Sequence, residues 1–196
     1  MTANDAARPR TRDPARKERI LTAAADLIAL NGYHTVSMMD LGEAAGITGS
    51  AIYRHFESKS AVLVELFDRV IDALLRDVQK TVQQENDLHK TLTHLIAGQV
   101  EFVVADRALA RVYHQEVNNL PEEDRRRLRR KQRLYVEEWV HLLAELRSDL
   151  TDAEARVVVQ ATIAAIQSTL FHSIGLPEDR MRRLLTESAT AVLGVG

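Results

Sequence analysis

Apolar residues recur three and four positions apart along almost the whole chain, and the alternation that marks a half-buried strand is scarce. The pattern predicts an all-α protein. Asp13 as N-cap and Pro14 at the first helical position, where its missing N–H costs nothing, announce a first helix that stops at Asn31-Gly32. Ile20, Ala24, Leu27 and Ile28 form its buried stripe. Ser37-Met38-Met39-Asp40 is built like a capping box, with Asp where Glu is usual, and opens a short second helix ending at Ala45-Gly46. Thr48 is placed to cap a third short helix reaching Phe56, and Ser58 a fourth running to Val82. Leu63, Leu66, Phe67, Val70, Ile71 and Leu74 share one face of that fourth helix. After a polar turn at 83–87, helices are predicted over 88–105, 108–117, 121–146, 152–173 and 177–193, with Pro121 and Pro177 at two of the starts. Residues 1–12, polar and aperiodic, are read as a disordered basic arm.

Three short helices with a Gly-containing turn between the second and third have the make-up of a helix-turn-helix, whose second member lies in the DNA major groove. Ala44 and Ala45 are small enough for a close helix crossing, Gly46 suits a left-handed helix end, and Ile47 anchors the turn. With Ile52 and Phe56 buried, Thr48, Gly49, Ser50 and Tyr53 face outward, and Lys59 is placed to meet a phosphate beside the start of the fourth helix. On these residues alone, two packing helices of a larger bundle are an equal alternative.

The run Thr35-Val36-x4-Leu41-x2-Ala44-Ala45-Gly46-Ile47-Thr48-x3-Ile52-Tyr53-x-His55-Phe56-x-Ser58-Lys59 resembles the N-terminal domain of the TetR (tetracycline repressor) family of bacterial regulators, over residues 15–65. The resemblance implies a three-helix DNA-binding domain over 13–60 and a helical bundle over 61–196 that binds a small molecule and dimerises. It also implies that Thr48, Tyr53, His55 and Lys59 contact phosphates, that Gly49, Ser50, Ala51 and Arg54 border base edges, and that Thr35 and Ser37 sit near the DNA backbone. Ser50 stands where the family commonly has Gly, Gly42 where it has Ala, and Ser60 where an acidic residue usually follows the Lys. The change at Ser50 alters what touches the groove, so an operator preference does not carry over.

Charge refines this picture. The formal net charge is −2 with a pI near 6.4, so nucleic-acid binding must rest on a local patch. Residues 1–20 carry six basic and three acidic groups, whereas 61–196 carry 18 basic and 21 acidic ones. The third helix holds only Arg54 as a cation, so Arg10, Arg12, Arg16 and Lys17 are expected to supply part of the phosphate attraction. The absence of cysteine excludes disulfides, Cys-ligated zinc and thiol catalysis. No apolar run long enough to span a bilayer is present, and the cytoplasm is the expected location.

The bundle is less explicit. Val157–Ile166 is apolar nearly all round, which predicts burial on two sides, one against its own domain and one against a second copy of the chain. Met181, Leu184, Leu185, Ala189 and Val192 complete the expected homodimer interface. Phe102, Tyr113, His114, Tyr135, Trp139, Phe171 and His172 are the candidates for contact with an effector. Pro121-Glu122-Glu123-Asp124 precedes seven cations in the nine residues Arg125–Arg133, either a solvated helix face supported by i,i+4 pairs or a surface for an anion such as an acyl-CoA. Among the histidines His89 and His94 lie about 140° apart around a helix, so no metal and no cofactor is expected. No Gly-rich phosphate loop, nucleophile elbow or paired-carboxylate signature appears, and the chain is expected not to be an enzyme. The leading expectation is a ligand-responsive repressor of double-stranded operator DNA. The alternatives are a helical lipid-binding protein or enzyme without DNA binding, and a regulator that has lost its ligand response.

Overall fold

The computed structural model describes residues 14–172 and 175–195. The expected arm over 1–12, Arg12 with it, and the Asp13 cap lie outside the described residues. Helix α1 (Pro14–Asn31) buries Ile20, Leu21, Ala24 and Ile28, and the next two, α2 (Met38–Ala44) and α3 (Gly49–Ile52), fold across it to form a head. The bundle behind comprises α4 (Lys59–Gln84), α5 (Leu88–Val104), α6 (Arg107–Glu116), α7 (Glu122–Leu146), α8 (Asp152–Gln167) and α9 (Glu178–Leu193). Among the described residues there is no strand.

Local chemistry sets most boundaries. Ser58 caps α4 by accepting from the Ala61 N–H, Asp87 caps α5 by accepting from His89 and Lys90, and Thr151 forms a capping box with Glu154 at the start of α8. Pro121 and Pro177 occupy the cap positions just ahead of α7 and α9.

Two helices are shorter than expected. Instead of reaching Phe56, α3 ends at Ile52 and the chain tightens into turns, with His55 N–H donating to the Ile52 carbonyl three residues back. Helix α8 ends at Gln167 rather than 173 and passes into a 3-10 turn, Ser168–Phe171. There the Ser168 hydroxyl donates to the Ala165 carbonyl at 2.7 Å, and Arg107 Nη2 donates to the carbonyls of Thr169, Leu170 and His172 at 2.5, 3.2 and 2.7 Å. A guanidinium from α6 thus satisfies carbonyls that a longer helix would have bonded internally.

A contiguous set of buried residues runs from Ile20, Leu41 and Ile52 in the head, through Leu63 and Phe67 of α4, to Trp139 and Leu143 of α7. Helix α4 packs on α7, α5 lies against α7 and α9, and α8 lies against α7 and α9. Within α8, Ala155, Val159, Thr162 and Ile166 are buried, but Val157, Ala161 and Ala164 are exposed, Val157 to 66%. One of the two sides expected to be buried is therefore covered within the chain and the other is open. On α9, Leu185 and Ala189 are buried while Val192 is exposed.

Candidate nucleic-acid interface and effector cavity

The head is organised by the crossing of α2 and α3. Gly46, at φ +69°, ends α2, its N–H donating to the Glu43 carbonyl while Ile47 N–H donates to Gly42, and this reversal aims α3 across α2. A Cβ on Gly42 would lie 3.2 Å from Gly49 Cα, and one on Gly49 would lie 3.1 Å from Met39 Cγ. The close approach expected at Ala44 and Ala45 therefore occurs at Gly42 and Gly49, and Ala44 is exposed. At the start of α2, Ser37 Oγ and N–H donate to Asp40 Oδ2 at 2.7 and 2.8 Å, and Asp40 N–H donates back to Ser37 Oγ at 3.2 Å. Those bonds from Ser37 hold the Asp40 carboxyl below the usual carboxylate range.

Around this crossing Thr35, Ser37, Thr48, Ser50, Tyr53 and Arg54 are exposed, whereas Gly49, Ala51, His55 and Lys59 are half-buried. Thr48 takes the cap position of α3 without a side-chain cap bond, so its hydroxyl stays available to an outside acceptor. Arg54 has no ion pair among the described residues, and Arg16 lies exposed near the start of α1. Two other expected DNA-facing cations are engaged within the protein. Lys59 Nζ donates to the Val36 carbonyl at 2.6 Å and to the Tyr33 carbonyl, and stands 4.3 Å from the centroid of the Tyr33 ring. Lys17 Nζ lies 2.9 Å from Glu65 Oε1 and 5.5 Å from the centroid of the Phe56 ring. Burial opposes ionisation of Glu65, but hydrogen bonds from Lys17 and Arg69 outweigh it and lower its pKa. Both lysines lock the head to α4.

Inside the bundle a small cavity of about 40 Å³ lies between α4, α5, α6, α7 and α8. Of the seven expected effector contacts, Phe102, Tyr113 and Tyr135 line it. Trp139 does not, although it is fully buried and edge-on to Tyr135, with ring centroids 6.0 Å apart. His114 and Phe171 pair with centroids 5.2 Å apart, and with His172 they are exposed and do not line the cavity. Sequence reasoning passed over three glutamines in the lining, Gln99, Gln132 and Gln167. Gln99 was detectable as a polar interruption between Leu95-Ile96 and Val100 on the apolar face of α5. Its Oε1 accepts from the Tyr135 hydroxyl at 3.1 Å. The buried Tyr113 hydroxyl has no hydrogen-bond partner among the described residues. Burial pushes the Tyr113 phenol up to about 12 and that of Tyr135 upward too, so both are neutral donors near pH 7.

The arginine-rich segment is largely absorbed by the fold. Arg127 Nη1 donates to both Asp68 oxygens at 2.6 Å, and Lys131 Nζ lies 2.7 Å from Asp68 and 2.7 Å from Asp72, tying α7 to α4. The expected Glu122–Arg126 pair forms at 2.6 Å, but Arg127 takes Asp124 at 3.0 Å in place of Glu123. Arg130 and Arg133 are exposed and have no ion pair among the described residues. No group of three or more His, Cys, Asp or Glu among the described residues is placed to hold a metal ion, and no helix there is long and apolar enough to cross a membrane.

Residues 20–66 match the model for bacterial regulatory proteins of the tetR family, and residues 85–170 that for the tetracyclin repressor-like C-terminal domain. The HTH-type transcriptional repressor KstR2 of Rhodococcus jostii strain RHA1 is 29% identical over 110 residues, covering 56% of this chain and 54% of that protein. The chain spans about half the length of the curated relatives it matches. A crystal structure of a TetR-family transcriptional regulator from Bordetella parapertussis superposes with a TM-score of 0.79 at 23% identity, covering 91% of this chain and 95% of that one. The regulator FadR of Bacillus subtilis, in complex with stearoyl-CoA, superposes with a TM-score of 0.71 at 20% identity, covering 91% and 96%. These likenesses show a shared fold. Because the two family models between them match well over half of the residues, in the order head then bundle, the chain belongs to the TetR family.

Proposed function

We propose that the protein is a homodimeric, ligand-responsive transcriptional repressor that releases double-stranded operator DNA when it binds a hydrophobic effector of the acyl-CoA type. The observation that carries this is the double duty of α4. Its middle, through Val70, Ile71 and Leu74, walls the interior cavity, while its first residue, Lys59, holds the α1–α2 connection of the head. A void of about 40 Å³ has room for only one or two waters, against the roughly 300–1,000 Å³ of ordinary ligand pockets. An effector therefore binds only a state in which the cavity has opened, and an α4 displaced by opening carries the head with it. Differential affinity for the open state is the whole of the coupling.

The division of labour is then a DNA-binding head over 13–60, with a basic arm over 1–12, and an effector and dimerisation domain over 61–196. Arg54, Tyr53, Ser50 and Thr48 meet the groove, and the exposed apolar faces of α8 and α9 meet a second copy of the chain. The Tyr113 hydroxyl, buried and unpartnered, donates to the effector's carbonyl. Arg129, Arg130 and Arg133 are the cations of α7 without an ion pair among the described residues, and they are left to meet its phosphates. The relatives it matches include transcriptional regulators, no catalytic step is assigned to this chain, and its place of action is the cytoplasm with the DNA.

Fluorescence anisotropy on DNA from upstream of its own gene, titrated with stearoyl-CoA, tests the reading. Specific binding that stearoyl-CoA releases supports it. Absence of specific DNA binding selects a helical lipid carrier or enzyme, and binding indifferent to a panel of acyl-CoAs selects a regulator without ligand response.

A further inference from the structure

A cavity larger than the interior one is also formed by the described residues. An open cleft of about 550 Å³ lies where α1 of the head meets α4, α5 and the start of α6. That is within the usual size range of small-molecule sites. Its floor is apolar, formed by Leu21, Val70, Leu74 and Phe102 among others. Its polar lining is strongly one-sided, with Glu18, Asp26, Asp77, Glu101 and Asp106 against Arg69 as the lone basic residue.

The ion pairs sharpen that asymmetry. Arg69 is shared between Glu18 and Glu65, so it offers little to an incoming anion. Asp77 is 3.0 Å from His94, and Glu101 is 2.8 Å from Arg182. Asp26 and Asp106 are exposed and have no ion pair among the described residues. They come from α1 and from the cap position of α6, the two elements that meet across the boundary between head and bundle. An apolar floor beneath unpaired carboxylates disfavours a fatty acid or an acyl-CoA and favours an ammonium or phosphonium group carried on an apolar body. Phe102 also puts an aromatic side chain in the lining, a group that attracts cations.

We propose that this cleft is a second small-molecule site, specific for organic cations with an apolar body and set against the interior cavity, with which it shares Val70, Leu74 and Phe102. A ligand seated there touches the head through Leu21 and Asp26 and the bundle through Phe102 and Asp106, so it bridges the two parts.

Isothermal titration of the full chain with tetraphenylphosphonium, with tetraphenylborate as an isostere of opposite charge, tests the proposal. The expected result is saturable binding of one phosphonium per chain, with the borate not binding. The double variant Asp26→Asn/Asp106→Asn should lower the affinity by about tenfold, as befits two partly solvated charges. Ala73→Phe, which fills the cleft without changing charge, should abolish binding while circular dichroism shows the helices intact. Equal binding of both ions, or phosphonium binding unchanged in both variants, overturns the proposal. Binding that appears only in a chain lacking residues 1–12 also overturns it, in favour of the basic N-terminal segment as the occupant of the cleft.

Discussion

The head and helix α7 dispose of their cations in opposite ways. Residues 14–60 contain five basic and five acidic groups, and Lys17 and Lys59 are turned inward onto Glu65 and onto loop carbonyls. Helix α7 carries seven cations in nine residues, and even after Asp68, Asp72 and Asp124 have taken their share, Arg130 and Arg133 stand free of ion pairs among the described residues. The densest positive charge is thus not on the element built like a DNA reader. In this molecule the head is defined by shape, through two glycines in contact and short exposed side chains, and its lysines set the position of that shape relative to α4.

Lys59→Met should have the largest effect, since it keeps the stem and removes the donors. Loss of hydrogen bonds from a half-buried ammonium should cost about 2 kcal/mol of stability, read by thermal melting, and operator binding by anisotropy should fall by about a hundredfold or more, because a loosened head loses geometry as well as charge. A variant that melts normally and loses only DNA affinity would return Lys59 to a purely phosphate-facing role.

Asp68→Asn comes next, at about 2 kcal/mol, because it leaves Arg127 and Lys131 with one partner each. Burial raises the Asp68 pKa, but the bonds from Arg127 and Lys131 outweigh that and hold it below the usual range. A depressed carboxylate contributes its stability above the unfolded value of about 3.9 and loses it as pH falls through the folded one. The difference in Tm between wild type and variant should therefore be constant from pH 7 to about 5 and shrink below about pH 4.

Arg54→Ala should weaken operator binding by about tenfold, with no change in Tm. Removing residues 1–12, which takes away Arg8, Arg10 and Arg12, should weaken binding severalfold and make the log–log salt slope shallower by up to about 0.9 for each phosphate that is no longer neutralised. The smallest expected effect is that of Arg130→Glu/Arg133→Glu, which should leave operator affinity within about twofold while weakening the response to stearoyl-CoA. A large loss of DNA affinity in that variant would break the contrast between the two regions.

Features set by neighbours in the chain were legible in advance. The stop at Gly32, the Ser37–Asp40 box, the Ser58 cap and the buried face of α4 all depend on residues within a turn of one another. What escaped the sequence depends on distant partners. The break after α8 is tied to Arg107, 62 to 65 residues away from the carbonyls it serves. The inward turn of Lys17 and Lys59 depends on where Glu65 and the Tyr33–Val36 loop come to rest. Aromatic and polar character on apolar helix faces suggested seven cavity residues, and three line the cavity because convergence is a property of helix packing rather than of composition. The acidic cleft was invisible, since its carboxylates come from three helices and the cap of a fourth.

Val62, Leu63 and Leu66 at the front of α4 share one core with Ile20 and Leu41, Lys59 just ahead of them holds the first loop, and Arg69 still reaches back to Glu18. A head grafted onto a foreign bundle with a joint at residue 60 would keep Lys59 but leave that core open on one side and Glu18 without Arg69. A working chimera has to carry α4 at least as far as Arg69, so the smallest interchangeable part of this TetR-family chain is larger than its three-helix head.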